Sequence, residues 1–357
     1  ETCVVRTSGR VTCVSKDDQY HDIPGVEDAV DITARDFRTC VLLVGGKVKC
    51  WGVRSIHHVF GAVEVREDAP TLIDGLNDAV QLSTLGISTC AVRQTGTIQC
   101  WNDFVGPQDP SPFAGIQNAA QIQLSGSGFG SKFGCTVLKN DELHCSGSYV
   151  PGRRNDGSEG VSEAPVKVAL PGRVTSVAVG EYHSCAALAE GLVQCWGDAT
   201  YGQLGTGAIA FQPQPLPVLA IRDAVDVSVG ETHSCAVLQG GGIACWGHNE
   251  NGKLGDGTTT DRNAPVLVNG IHDATGVAAG RYHSCALLTD RTVKCWGRNI
   301  SGQLGTGNFV DSLEGVTVAG LTDVTGLVAG NSHTCAMRGP GDVWCWGANI
   351  YGAVGQT

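Results

Sequence analysis

The sequence lacks an excess of basic residues, and it lacks long apolar runs. Lys and Arg number 24 against 35 Asp and Glu, which gives a formal net charge of −11. We therefore expect no nucleic-acid partner, because binding to a phosphate backbone depends on clustered cations. No apolar run approaches the roughly 18 residues of a transmembrane helix, so we expect no membrane span. Charged residues make up only 17% of the chain and hydrophobic residues 42%, which favours a packed core over disorder.

Motifs for catalysis and cofactor binding are also missing from the sequence. It contains no nucleophile elbow, no Walker loop and no H-E-x-x-H. Serine follows histidine in the recurring "HSC", but neighbours along a strand point to opposite faces, so the pair does not form a triad. Carboxylates do not recur as close pairs. We therefore expect a protein that is not an enzyme, with no catalytic residue, no cofactor and no metal ion.

Cysteine is present in a regular pattern, with sixteen residues that form eight pairs ten positions apart. The first cysteines of the last five pairs are 50 residues apart, and a period of this length is typical of solenoids and propellers. The pairs are Cys3 and Cys13, Cys40 and Cys50, Cys90 and Cys100, Cys135 and Cys145, Cys185 and Cys195, Cys235 and Cys245, Cys285 and Cys295, and Cys335 and Cys345.

The residues within each pair predict a β-hairpin. Glycine is abundant, at 50 residues, and a three-residue hairpin loop favours it at a left-handed third position. Six pairs have glycine there, whereas Asp141 and Arg291 occupy the position in the other two. Such loops place the paired cysteines directly opposite each other, within reach of a disulfide. The six glycines are Gly9, Gly46, Gly96, Gly191, Gly241 and Gly341.

Zinc binding is the alternative to disulfides, but zinc knuckles space their cysteines two to four residues apart and no C-x-x-C occurs here. Disulfides are therefore favoured at all eight pairs. Eight disulfides predict an oxidising compartment, so we expect the protein to be extracellular, either secreted or displayed on the cell surface.

One repeat reads "APVLVNGIHDATGVAAGRYHSCALLTDRTVKCWGRNISGQLGTGN" and predicts four short strands with no helical period. The small residues in "GVAAG" suit the strand nearest the axis of a propeller. A tryptophan follows the second cysteine in six repeats and is large enough to pack between blades. These tryptophans are Trp51, Trp101, Trp196, Trp246, Trp296 and Trp346.

The stretch "GEYHSCAAL…VQCWGDATYGQLGTG" resembles the regulator of chromosome condensation repeat, in a disulfide-rich, extracellular, bacterial-type variant. The resemblance implies an all-β propeller of four-stranded antiparallel blades, with a disulfide in each hairpin and one domain over residues 1–357. Seven blades are favoured, with eight as the alternative. Residues 1–19 then form an extra or incomplete hairpin, and residues 20–27 are expected to complete the last blade beside Val343–Trp346. Residues 101–165 fit the repeat poorly and predict irregular blades.

Three features resemble functional sites. Histidines at His183, His233, His283 and His333 could form a metal ring, but a residue repeated with the blade is expected to bond a backbone group between blades. The loop Asn249–Asp261 resembles a calcium loop without its glutamate or flanking helices. Asn299-Ile300-Ser301 is a glycosylation sequon on a predicted loop.

The sequence thus favours a protein-binding or structural module that contacts another protein, or further copies of itself, by loops or blade edges. The alternative is an inhibitor of an extracellular enzyme, as in the propeller β-lactamase inhibitory proteins that share this repeat. Nucleotide exchange on a small GTPase is less favoured, because disulfides and acidity oppose it. Residues 101–165 are a candidate surface, with Phe104, Phe129 and Tyr149 as candidate partner-binding residues, although drift from the repeat explains the irregularity equally well.

Overall fold

The computed structural model describes most of the chain, and most continuously from residue 165 onwards. The described ranges are 2–5, 11–14, 20–22, 28–35, 38–58, 61–85, 88–102, 111–112, 116–125, 133–147, 165–338 and 342–348. Throughout these ranges the regular structure is antiparallel β-sheet, apart from one turn of 3₁₀-helix at Glu250–Gly252. The predicted all-β class is confirmed.

The strands form eight sheets, of which six have four strands and the first and last have three. The N-terminal sheet contains β1 (Thr2–Val5), β2 (Val11–Val14) and β3 (Tyr20–Asp22). The C-terminal sheet contains β28 (Val324–Ala329), β29 (His333–Arg338) and β30 (Asp342–Gly347). The six sheets between them are β4 (Ala29–Arg35), β5 (Arg38–Leu43), β6 (Lys47–His58) and β7 (Gly61–Asn77); β8 (Ala79–Leu85), β9 (Ser88–Arg93), β10 (Ile98–Asn102) and β11 (Ser111–Pro112); β12 (Ala119–Ser125), β13 (Phe133–Leu138), β14 (Leu143–Gly147) and β15 (Val166–Val168); β16 (Val174–Val179), β17 (His183–Leu188), β18 (Val193–Gly197) and β19 (Gln212–Pro217); β20 (Ala224–Val229), β21 (His233–Leu238), β22 (Ile243–Gly247) and β23 (Arg262–Leu267); β24 (Ala274–Ala279), β25 (His283–Leu288), β26 (Val293–Gly297) and β27 (Ser312–Thr317).

The sheets follow one another as the blades of a propeller. Strands adjacent in sequence pair within each sheet, and the first strand of each sheet from β4 to β28 lies against the first strand of the next. These first strands are the predicted innermost strands, and seven sheets have one. The N-terminal sheet lacks an inner strand, and its β1 lies against β4. Strands β1 and β2 pair within residues 1–19 and β3 adds a third strand, while the assignment of this sheet as an extra or incomplete hairpin stays a prediction.

The prediction that residues 20–27 complete the last blade is wrong for the part that the structure describes. Tyr20, His21 and Asp22 pair with Val14, Cys13 and Thr12 of their own hairpin. This pairing is local because only a short loop must close between β2 and β3, and short loops cost less chain entropy than contacts across the whole chain. Residues 23–27 lie outside the described residues.

The hairpins have the predicted register and the predicted disulfides. Each described pair of cysteines is directly opposed across two strands, with Cα atoms 4.0 or 4.1 Å apart. Disulfides join six pairs: Cys40–Cys50, Cys90–Cys100, Cys135–Cys145, Cys185–Cys195, Cys235–Cys245 and Cys285–Cys295. The backbones of Cys3 and Cys13, and of Cys335 and Cys345, are also opposed, but their sulfur atoms lie outside the described part, so disulfides there stay a prediction.

The core lies between neighbouring sheets, where tryptophans fill the space as predicted. Trp296 is fully buried in a cluster that joins the sheet β20–β23 to the sheet β24–β27, together with Val237, Ile243 and Leu254. Its Nε1 donates a hydrogen bond of 2.9 Å to the Lys253 carbonyl in the preceding sheet. Trp246 and Trp346 make the equivalent bond to the carbonyls of Gln203 and Gln303. The last three blades are therefore each bonded to the one before, whereas Nε1 of Trp101 and Nε1 of Trp196 have no hydrogen-bond partner among the described residues.

The hairpin tips also bond neighbouring sheets to each other, at the opposite end of the hairpin from the tryptophans. The third loop residue has a positive φ in all six described hairpins, including +86° at Gly96, +79° at Gly191 and +64° at Arg291. The Gly191 carbonyl accepts a hydrogen bond of 3.0 Å from the Ala224 amide of the next sheet. Arg291 occupies the same place with a side chain, which bonds Asp323 of the next sheet at 2.7 Å. The predicted left-handed tips are confirmed.

Gly191→Val is expected to destabilise the fold substantially. An added Cβ would lie 2.4 Å from the Arg222 carbonyl oxygen, on a backbone whose φ is already positive. Strain and the contact between sheets together should cost about 2–4 kcal/mol in the free energy of unfolding. Gly240→Ala is the matched control, since that tip glycine has no atom within 4 Å and should change stability by less than about 0.5 kcal/mol. Equal unfolding midpoints for the two variants in denaturant would contradict the assigned loop geometry.

Candidate protein-binding face

One face of the propeller has a repeated backbone clasp. In the last four sheets, the first residue after the third strand donates its backbone N–H to a carbonyl in the turn between the first two strands. We call the surface formed by these turns and by the loops after the third strands the clasp face. The four donor–acceptor pairs are Asp198 and Tyr182 at 2.9 Å, His248 and Thr232 at 3.0 Å, Arg298 and Tyr282 at 3.0 Å, and Ala348 and Ser332 at 2.8 Å.

The side chains on this clasp differ from sheet to sheet, although the backbone does not. Where one sheet has Glu181, Tyr182 and Asp198, the next has Glu231, Thr232 and His248, and the next has Arg281, Tyr282 and Arg298. Across these three sheets the clasp changes from acidic to basic, and the fourth sheet has the uncharged Asn331, Ser332 and Ala348. A constant backbone with individual side chains is the arrangement expected of a recognition surface, because the scaffold fixes the positions and the side chains set specificity.

Ion pairs and ring contacts connect neighbouring clasps. Arg281 forms an ion pair with Glu231 of the preceding sheet, and its guanidinium lies 5.1 Å from the centre of the Tyr282 ring. Arg298 lies over the same ring at 5.0 Å. Burial raises the pKa of Glu231. A hydrogen bond to the Glu181 carboxylate, together with burial, raises the pKa of Tyr182 to about 12, so its hydroxyl stays protonated.

Lys253 is a buried cation beneath the clasp face, at the position that Gln203 and Gln303 occupy in the neighbouring loops. Its Nζ donates to the Thr232 hydroxyl at 3.0 Å and to Nδ1 of His248 at 3.2 Å. Burial lowers the pKa of Lys253 to about 8. Burial, reinforced by the charge of Lys253, also lowers the pKa of His248, which favours the neutral imidazole that accepts this bond.

Lys253→Gln is expected to stabilise the protein. Because the pKa of Lys253 is lower in the folded than in the unfolded state, its charge opposes folding below pH 8, and stability rises from about pH 8 to pH 10.4. The substitution should add about 1–3 kcal/mol to the free energy of unfolding at pH 7 and remove that rise. Gln303→Lys is the reciprocal variant and should be destabilised. Unchanged stability in both, measured by denaturant titration, would contradict the cost assigned to this lysine.

The recurring histidines lie buried below the clasp face and link neighbouring sheets. Nε2 of His183 is 2.8 Å from the Ser234 hydroxyl, which donates its own proton to the Gln203 carbonyl at 2.9 Å. Nε2 of the histidine is therefore the donor. His233 and His283 repeat the contact with Ser284 and Thr334. The predicted contact between blades is present, but the predicted backbone partner is wrong: each imidazole bonds a side-chain hydroxyl, and that hydroxyl in turn donates to a backbone carbonyl.

The structure also describes the metal, calcium-loop and glycosylation candidates from the sequence analysis. Among the residues described, no three His, Cys, Asp or Glu side chains are placed to hold a metal ion. In the loop Asn249–Asp261, the side-chain amide of Asn249 donates to the Asp256 carboxylate and to two loop carbonyls, and these bonds hold the loop closed. Asn299 is fully buried and makes the same clamp through Nδ2, so a glycan there would require this loop to open.

The partner-binding residues predicted in the irregular segment cannot be placed on this surface. Phe104, Phe129 and Tyr149 lie outside the described residues, whereas the strands of residues 101–165 join ordinary antiparallel sheets. The sequence analysis missed the clasp face because it searched for irregular segments. The signal was the difference between aligned repeats at single positions, most clearly Lys253 against Gln203 and Gln303.

Comparison with known proteins identifies the repeat. Two family models, both described as the regulator of chromosome condensation (RCC1) repeat, match the chain. Their matches together cover residues 174–353, just over half of it. One matches residues 174–203, 224–253, 274–303 and 324–353, and the other residues 190–237, 241–287 and 293–337. No curated protein sequence matches the chain.

Several solved structures share the fold at low sequence identity. Prp20p from Saccharomyces cerevisiae, described with its binding to Gsp1p and histones, is 18% identical with a TM-score of 0.69, over 88% of this chain and 84% of that one. Human WBSCR16 is 16% identical with a TM-score of 0.69, over 93% and 89%. The CRINKLY ectodomain of the Arabidopsis thaliana receptor kinase ACR4 is 18% identical with a TM-score of 0.53, over 89% and 93%.

Proposed function

Because the chain belongs to the regulator of chromosome condensation (RCC1) repeat family, we propose that it is an extracellular, non-enzymatic propeller that binds another protein through its clasp face. The observation that carries the proposal is the constant backbone clasp with individual side chains. Prp20p, which shares the fold, is described as binding proteins. A propeller face offers a broad, rigid surface of loops, which suits a protein partner better than a small ligand.

Six disulfides support the extracellular location, since such bonds persist in oxidising compartments. The described part of the chain contains no helix long and apolar enough to cross a membrane. The fold of a receptor ectodomain is similar to this one. Secretion or surface display is therefore the setting in which we expect the partner.

The histidines below the clasp face also support a role in binding rather than in catalysis. Its histidines His183, His233 and His283 are fully buried, and burial lowers their pKa, which leaves them neutral and out of reach of a substrate. Each is committed to a hydroxyl of the next sheet.

Affinity capture from the native extracellular fraction tests the proposal. The immobilised wild-type protein is expected to retain a specific protein, and the double variant Tyr182→Thr, Tyr201→Ala is expected to retain less than a tenth as much. Thr232 already occupies the position equivalent to Tyr182, so the fold should tolerate the change, and Tyr201 is 41% exposed. The control is Glu190→Ala, Gln239→Ala, at exposed hairpin tips on the opposite face. Loss of capture in the control alone would contradict the proposal.

A further inference from the structure

Arg298 differs from the other arginines whose side chains the structure describes. Five of these arginines form ion pairs with a carboxylate, and Arg222 donates to the Ile221 carbonyl. Among the described residues the side chain of Arg298 has no hydrogen bond or ion pair, and its guanidinium lies 5.0 Å from the centre of the Tyr282 ring. The five paired arginines are Arg93, Arg173, Arg262, Arg281 and Arg291.

The backbone holds Arg298 in a fixed place. Its amide is bonded to the Tyr282 carbonyl at 3.0 Å, and it follows Gly297, whose φ is +104°. A Cβ on Gly297 would lie 2.8 Å from the Tyr282 carbonyl oxygen and 3.2 Å from Cα of Lys253. The guanidinium is thus set on the Tyr282 ring, so less side-chain entropy is lost when it binds a partner.

The surrounding charges leave this guanidinium without compensation. Arg281, on the same ring, is already neutralised by Glu231. Asp311, in the loop after Arg298, accepts hydrogen bonds from the backbone N–H of Asn299 at 2.7 Å and from the side-chain amide of Asn251 at 3.1 Å. An anion from another molecule would therefore neutralise the charge of Arg298.

We propose that Arg298, held on Tyr282, is a binding site for a carboxylate side chain of the protein partner. This inference rests on the proposed function and names the chemistry of one contact in it. The planar guanidinium matches a carboxylate in two parallel hydrogen bonds, and the partly exposed Tyr282 ring offers an apolar surface to the methylenes of Glu or Asp. A phosphate or sulfate group is recognised by clusters of free arginines, whereas Arg298 is the single arginine without an ion pair or hydrogen bond of its side chain among those that the structure describes.

The test is a titration of the protein with N-acetylated hexaglutamate amide at low salt. Binding is followed by NMR through the chemical shifts of the arginine Nε–H signals. A saturable shift is expected at Arg298. Arg298→Gln should weaken binding at least fivefold, and Arg222→Gln on the opposite face should change it by less than twofold. Hexaglutamine is expected to give no shift, and sodium sulfate at equal charge should bind more weakly. Absence of a shift at Arg298, equal binding by Arg298→Gln, or tighter binding of sulfate would overturn the carboxylate assignment.

Capture with Arg298→Gln separates this inference from the proposed function. Reduced capture of the extracellular partner supports the carboxylate site. Undiminished capture by Arg298→Gln, together with loss in the Tyr182→Thr, Tyr201→Ala variant, would overturn the carboxylate site and leave the binding face intact. Undiminished capture by both variants would overturn both.

Discussion

Acidification from pH 6.5 to pH 4 is expected to remove several kcal/mol of stability while all disulfides remain closed. His183, His233 and His283 are fully buried with Nδ1 unbonded, and burial lowers the pKa of His183 to about 4 and of His283 to about 3. The unfolded chain takes up these protons near pH 6.5, so the stability present above that pH is lost as the pH falls towards the folded-state values. Each histidine contributes on the order of 3 kcal/mol by pH 4.

The measurement is the free energy of unfolding in denaturant at pH 7, 6 and 5. Carboxylates with lowered pKa values, such as Asp256, act mainly below about pH 4.5 and so do not mask this window. His283→Gln is the matched variant, because an amide N–H can still donate to the Thr334 hydroxyl without titrating. Its slope of stability against pH should be smaller by about 1.4 kcal/mol per pH unit. An unchanged slope would show that the buried histidines do not set the acid limit.

Trp296→Ala is expected to be the most damaging single substitution in the core of the later sheets. The side chain is fully buried, closes the gap between two sheets beside Gly255, and donates to the Lys253 carbonyl at 2.9 Å. Truncation of a buried tryptophan costs about 3–5 kcal/mol, since it opens a cavity as well as removing contacts. The loss should appear as a lower midpoint in thermal and denaturant unfolding.

Two variants give the comparison. Trp296→Phe retains most of the ring but loses the N–H donor, and should cost about 1–3 kcal/mol less than the truncation. Phe309→Ala, at a position that is 70% exposed, should change stability by less than about 0.5 kcal/mol. If Trp296→Ala and Phe309→Ala unfold at the same denaturant concentration, the packing between sheets does not hold the blades together.

The repeat made most of the fold predictable from the sequence. A fixed spacing of ten residues between cysteines, with glycine near the middle, defines a hairpin and its register, as Cys235 and Cys245 show. Because these constraints involve residues close together in the sequence, the sequence alone is enough to predict the hairpin. The position of Tyr20–Asp22 was predicted wrongly because two pairings were compatible with the same short strand. Only the three-dimensional arrangement distinguishes a local partner from a distant one.

The candidate site was less predictable because it depends on contacts between residues that are far apart in the sequence. Tyr282 and Arg298 are sixteen positions apart within one sheet, and Glu231 reaches Arg281 from the preceding sheet. No short sequence motif encodes such pairs. Sequence reasoning instead gave weight to the irregular segment 101–165, since variation there is visible without a fold. Substitutions at single positions of regular repeats become meaningful once the backbone clasp shows that those positions share one face.

Amide hydrogen exchange of the protein, alone and bound to its captured partner, tests the clasp face most directly. Binding is expected to slow exchange in the turns at residues 180–182, 230–232 and 280–282 and in the loops that follow the third strands. The hairpin tips at residues 189–192 and 239–242, on the opposite face, should exchange at the same rate in both states. Protection confined to those tips or to the outer strands, with the clasp turns unchanged, would contradict the assignment of the clasp face as the binding surface.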